Sequence, residues 1–314
     1  MRSIPKMTYA AFQVVILAIS TLTTNGEPGD LFASIDGAPG DGAAGNGAGL
    51  IYKYAPNGVR STVAYGLSHP RGLAFDSAGN LFVATNFCDD ATWCHPTILK
   101  ITSVGAQNAF AIIPDSFFAQ GVAIDRSDNL FVMAIGWSDN VSIIFKLTPR
   151  GGRRSFGFVP GRGLGLAFDN AGNLFAADAT SQTIYKFTPD GIRSIFVGPE
   201  AFTNSGRGPI GLAFDHFGSL FVSTVAFPYN NDRILTFTAH GVKRTFASGL
   251  PSPRGVTFDS TGKLFVADIP PFFGGDILKF TRDGVPTVFA SQIDVPQGNG
   301  GPEYLVLQVA NDGR

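Results

Sequence analysis

From Gly29 onward, large apolar residues alternate with small or polar ones in short bursts such as GDLFAS, LIYKYAPNG, GLAFDSAGNLFVA and ILKIT. An apolar side chain at every second position is the period of a β-strand whose two faces differ. The bursts are separated by turn sequences such as DSAGN, DNAGN, TPDG and TRDG, where Asp or Asn bonds the turn backbone and Gly adopts positive φ. The pattern predicts an all-β chain of many short strands.

The bursts also repeat. GLAFDSAGNLFVA begins at Gly72, and GVAIDRSDNLFVM, GLAFDNAGNLFAA, GLAFDHFGSLFVS and GVTFDSTGKLFVA begin at Gly121, Gly165, Gly211 and Gly255, at intervals of 49, 44, 46 and 44 residues. Each copy is followed by a second alternating run (ILKIT, IIFKLT, TIYKFT, RILTFT, DILKFT), a turn and a phenylalanine-rich run such as RSIFV or PTVFA. Four short strands per unit and a period of about 40–50 residues are the signature of a propeller blade. A sixth copy is split: GDLFAS, LIYKYAPNG and RSTVAYG near the start supply three strands, and GPEYLVLQV near the end supplies the fourth. Residues 26–314 therefore read as one six-bladed β-propeller of four-stranded antiparallel blades, its ring closed by N- and C-terminal segments that share a blade, which removes both sheet edges.

Within the repeat, alternation in LAFD and LFVA places large residues on both blade faces and accounts for most of the 29 phenylalanines. Asp76, Asp125, Asp169, Asp215 and Asp259 open the first turn of each copy and read as turn-forming residues, since equivalent positions in different blades lie far apart. Lys53, Lys100, Lys146, Lys186 and Lys279 recur on the third strand, where a long apolar stem lies along the sheet.

GLAFDSAGNLFVA with its following ILK or IYK strand resembles the NHL repeat and, more broadly, the propeller superfamily of the senescence-marker and gluconolactonase hydrolases. The resemblance covers almost the whole chain after its first residues and implies a propeller fold, which hosts many activities. It also implies, for the hydrolases, a divalent cation near the axis bound through Glu, Asn and Asp in Pro-Asn-Gly and Pro-Asp-Gly contexts. The matching tripeptides here are Pro70-Arg71-Gly72, Pro209-Ile210-Gly211 and Pro253-Arg254-Gly255, which offer no side-chain oxygen to a hard cation.

Composition narrows the class further. The 39 glycines and 20 prolines suit a turn-rich chain, and 44% apolar content fills a sizeable core. A formal net charge of −1, with no basic run longer than Arg153-Arg154, argues against nucleic acid as a partner. Arg2 and Lys6 precede a mostly apolar stretch from Ala10 to Leu22 and a polar Thr23-Thr24-Asn25-Gly26, the layout of a secretory signal peptide over residues 1–25. That stretch is shorter than the roughly 18 apolar residues of a membrane span. Export to a periplasmic or extracellular space favours a disulfide between the two cysteines, Cys88 and Cys94 of CDDATWC; two unpaired thiols are the alternative, and a zinc pair would need further ligands.

Loop lengths point to one face. Connections between strands one and two and between three and four are short; the others are long, emerge on the opposite face and carry Trp93, Trp137, Phe227, Tyr229, Phe272 and Phe273. Such aromatics stack on a sugar or grip a partner, or else fold over their own loops. At the mouth of this face, the residue before each leading glycine points to the axis: Arg71, Gln120, Leu164, Ile210 and Arg254, with Glu303 in the same place in the split blade. Glu303 then sits between Arg71 and Arg254, as an ion-paired plug or as a receptor for an anionic group such as a sugar acid. His69 and His95 belong to this face and His216 and His240 to the other, so they cannot share one zinc. With no G-x-S-x-G elbow, no catalytic or metal-binding residue is assigned. The expected protein is an exported, monomeric binding module without a cofactor, taking a small anionic, carbohydrate or protein ligand. A metal-dependent hydrolase or lyase using calcium or zinc is the alternative.

Overall fold

The computed structural model describes residues 28–36, 49–89, 93–137, 141–202, 208–225, 232–269, 274–293 and 301–308. The expected signal peptide, residues 1–25, lies outside them. Three strands open the chain, β1 (Leu31–Ile35), β2 (Gly49–Tyr54) and β3 (Arg60–Leu67). The second blade is β4 (Leu73–Phe75), β5 (Leu81–Asp89), β6 (Trp93–Ile101) and β7 (Gln107–Ile112), and the third is β8 (Phe117–Ile124), β9 (Leu130–Gly136), β10 (Ser142–Leu147) and β11 (Arg153–Val159). The fourth comprises β12 (Gly163–Phe168), β13 (Leu174–Asp178), β14 (Thr183–Phe187) and β15 (Arg193–Val197), followed by a short 3-10 helix at Pro199–Phe202. The fifth comprises β16 (Gly208–Phe214), β17 (Leu220–Val225), β18 (Asp232–Phe237) and β19 (Lys243–Leu250). The sixth comprises β20 (Pro253–Phe258), β21 (Leu264–Asp268), β22 (Gly275–Phe280) and β23 (Pro286–Ile293), and the last strand is β24 (Pro302–Leu307).

These strands form six four-stranded antiparallel sheets, and the first has the order β24-β1-β2-β3. The split blade is therefore completed by the tail: Leu31 pairs with Leu307 and Ala33 with Leu305. The innermost strands β24, β4, β8, β12, β16 and β20 touch their neighbours all the way round the ring. Burial follows the same geometry. Six hydrophobic clusters each join residues of two adjacent blades, so the core is a set of inter-blade layers. The strand-two phenylalanine anchors each layer: Phe131 meets Phe156 of its own blade at 4.9 Å and Phe168 of the next at 5.1 Å, and Phe221 meets Phe246 and Phe258 at 5.1 and 4.9 Å, all edge-on. Such edge-to-face pairs add about 0.5–1.5 kcal/mol each beyond area burial.

The leading glycines are explained at the axis. A Cβ on Gly121 would lie 2.2 Å from the Leu164 carbonyl oxygen, and one on Gly165 would lie 2.4 Å from that of Ile210. Innermost strands approach so closely there that no side chain fits. The predicted first turns also form: Asp125 N bonds Asn129 O and Asp169 N bonds Asn173 O, both at 3.0 Å, and Gly172 has φ +82°. The third blade carries Asp128 at the glycine position with φ +57°, and its carboxylate accepts the amide and hydroxyl of Ser77 from the preceding blade at 2.8 and 2.6 Å.

Candidate functional site

Four innermost strands bring the expected axial residues to the long-loop mouth. Arg71, just before β4, places one terminal nitrogen 3.3 Å from Glu303 Oε1 on β24, and Arg254 on β20 stands 4.0 Å from Glu303 Oε2. Gln120 on β8 receives the Tyr304 hydroxyl at 3.4 Å. The repeat-based placement of Glu303 between two arginines is thus what the ring produces.

The structure adds residues that the repeat did not single out. Asp36, at the end of β1, pairs with the second terminal nitrogen of Arg71 at 2.5 Å and with His69 Nδ1 at 3.0 Å. Arg71 is therefore held between two carboxylates, with its guanidinium 5.8 Å from the Phe118 ring centre. Burial works against its charge, but Glu303 and then Asp36 more than offset this, so Arg71 is held ionised more firmly than an ordinary arginine. Arg254 is engaged only at the longer distance, and Arg162, exposed on the crossing from β11 to β12, contributes a third positive charge felt at the Tyr304 hydroxyl. Both Arg71 and Arg254 keep a buried Nε–H with no acceptor among the described residues.

Tyr304 occupies the position that is glycine in the other five blades. It lines an axial cavity of about 160 Å³ whose wall includes Gly121, Gly165, Gly211 and Gly255. Burial pushes its hydroxyl well above the usual phenol range, with Arg71 partly opposing, so it stays protonated and donates to Gln120. One tyrosine thus reaches from the first blade to the third and forms the floor beneath the charged mouth.

Of the other expected residues, Trp137 is 54% exposed beside the mouth of the third blade. Trp93 lies on β6 opposite Asp89 in register, while Phe227, Tyr229, Phe272 and Phe273 fall outside the described residues. Cys88 and Cys94 are direct cross-strand partners of β5 and β6. His95 pairs with Asp115 at 3.2 Å near the surface, separate from His69. Among the described residues no three His, Cys, Asp or Glu side chains converge as a metal site, and the axial donors Gln120 and Glu303 have Arg71 between them. This donor set does not fit a hard divalent cation.

Architecture and site define a six-bladed propeller protein with a charged axial mouth. Comparison of the sequence with protein-family models and with curated proteins gives no match. Solved structures do resemble the fold. A catalytically inactive variant of virginiamycin B lyase from Staphylococcus aureus with quinupristin aligns at TM-score 0.59 and 15% identity, covering 88% of this chain and 89% of that one. A putative gluconolactonase aligns at TM-score 0.54 and 15% identity over 84% and 88%. A protein of unknown function from Bacteroides caccae aligns at 0.59 and 12% over 88% and 99%. At these identities the likeness is one of fold. No helix among the described residues is long and apolar enough to cross a membrane.

Proposed function

We propose that this chain is an exported NHL-type propeller that binds a ligand or protein through its long-loop face, with an anionic group of the ligand seated at the axis. The observation that carries the reading is the cluster of guanidinium groups at the mouth: among the described residues Arg71 and Arg254 pair there with Asp36 and Glu303, and Arg162 adds a third positive charge felt at Tyr304. Arg71 is committed to the two carboxylates, so the receiving groups are Arg254 and Arg162. Guanidinium suits a carboxylate because its planar donors match two oxygens. The half-exposed Trp137, just past β9, supplies a stacking surface on the long-loop face. Export would let Cys88 and Cys94, register partners on adjacent strands, close a bridge.

Titration with galacturonate and gluconate, read by calorimetry, tests the anion seat. Binding that is lost in the Arg162→Ala/Arg254→Ala double variant supports it, and binding that survives unchanged removes it. The second reading, a metal-dependent hydrolase or lyase, draws support from the names of two fold neighbours, a lyase and a putative gluconolactonase. Stoichiometric calcium or zinc in purified protein, lost on substituting Gln120 and Glu303, would favour it over the binding module.

A further inference from the structure

Five blades open their first turn with an aspartate, and the satisfaction of that carboxylate can be compared blade by blade. Asp76 accepts the amides of Ala78 and Asn80 on Oδ1, the Asn80 side chain on both oxygens, and Lys100 Nζ on Oδ2 at 3.4 Å. Asp125 repeats the arrangement with Asn129 and with Lys146 at 3.3 Å. Asp259 receives the Thr261 hydroxyl and stands 3.8 Å from Lys279. In the fourth blade Asn173 supplies Oδ2 of Asp169 at 2.8 Å. The strand-three lysine also stands over the strand-two ring: Lys100 over Phe82 at 5.2 Å, Lys146 over Phe131 at 4.9 Å, Lys186 over Phe175 at 5.6 Å and Lys279 over Phe265 at 4.8 Å.

The fifth blade lacks both partners. Ser219 stands where the second to fourth blades have asparagine, and Thr236, paired in register with Phe221, stands where the lysine would be. Among the described residues Asp215 accepts only the amides of Phe217 and Ser219, at 3.0 and 2.7 Å, both on Oδ1. Among the described residues no cation lies within ion-pair reach of Asp215 or over the Phe221 ring. A cavity of about 160 Å³ opens at this place between the fifth and sixth blades, lined by Asp215, Phe221, Phe246 and Phe258, with His216 and Arg282 at its wall.

We propose that this cavity binds an organic ammonium ion, a primary or methylated alkylamine that takes the place of the missing lysine head. The carboxylate oxygen that accepts a lysine elsewhere receives the ammonium, and the ring faces accept its charge through their quadrupole. A single carboxylate among phenylalanines offers far too few oxygens for a calcium or magnesium ion. The Arg282 guanidinium at the wall repels a second positive centre, so the site takes a monoamine in preference to a diamine. It lies on the short-turn face, opposite the charged mouth, and stands or falls independently of it.

The probe is n-butylammonium, which is a lysine side chain without its backbone, added to the full chain at constant ionic strength and followed by ligand-observed NMR and calorimetry. Saturable binding is expected, at least tenfold tighter than for n-butanol or for the four-carbon diamine. Thr236→Lys restores the residue that stands over the strand-two ring in other blades and should abolish binding while raising the melting temperature of the free protein. Asp215→Asn keeps the Oδ1 acceptor of the turn and should weaken binding at least tenfold, giving a second readout if the lysine variant folds poorly. Absence of saturable binding, equal binding of the alcohol, or unchanged binding in a folded variant of either kind would overturn the proposal.

Discussion

The two ends of the ring treat the same residue type in opposite ways. At the short-turn end Asp125 is held below the usual carboxylate range: burial opposes its charge, but hydrogen bonds from Asn129, Ser127 and Lys146 overcome that. At the long-loop end Asp268, closing β21, is pushed up to about 6 by burial, with Asp276 and Asp232 adding to the rise and the Ser252 amide partly opposing it. Asp76 and Asp125 are satisfied by their own blades, so a repeated sequence suffices there. The long-loop residues depend on neighbours: Asn86 clamps the Ala119 amide and carbonyl of the next blade at 2.7 and 2.9 Å, and Asp36 reaches Arg71. Repetition marks where a blade completes itself, and departure from it marks where blades must meet one another or a ligand.

The most severe break of this contrast is removal of residues 301–314. It deletes β24, Glu303 and Tyr304 together, and a cooperative thermal transition should be lost in calorimetry because the first blade keeps only three strands. Next is Arg71→Ala, which leaves Asp36 and Glu303 facing each other without their shared cation; a loss of about 3 kcal/mol in denaturant unfolding is expected. The pH dependence separates the two ends. Because Asp268 titrates higher in the folded chain than in the unfolded one, the folded state holds an extra proton between about pH 4 and 6. Its contribution to stability therefore falls as pH rises through that window and stays low above it. Asp268→Asn should stabilise the protein by about 2–3 kcal/mol at pH 7 and by almost nothing at pH 4. Asp125 has the opposite sign, its stabilisation being present above the unfolded carboxylate range and lost as pH falls. The smallest effect is expected from Lys146→Thr, which removes one of the two side-chain partners that the fifth blade lacks: about 1 kcal/mol less stable in denaturant unfolding.

Most of the fold was legible because every blade writes its own alternation, turn and leading glycine. The split blade was legible too, since Pro302-Glu303 aligns with Pro70-Arg71. The same alignment places Tyr304 opposite Gly72, and this is the signal that could have announced the axial floor. Asp36 and Arg162 gave no such signal, because their partners are set by how loops of different blades converge and not by any spacing within one. The lysines and turn aspartates were each readable alone, as snorkelling stems and turn acids. Their pairing needed the third strand to be seen folding back beside the first turn. The loop aromatics Phe227, Tyr229, Phe272 and Phe273 rest on sequence alone.

The bond from the Tyr304 amide to Ser34 Oγ joins positions 270 residues apart. Bringing such distant segments together carries a loop-closure cost that grows only slowly with length, so the seam is thermodynamically inexpensive once formed. Kinetically it is another matter, because non-local pairings form late. During vectorial synthesis β1 to β3 must wait, with one flank unprotected, until every other blade has emerged and the final strand arrives. That interval is when a nascent chain of this design is most exposed to joining a stranger's sheet instead of its own.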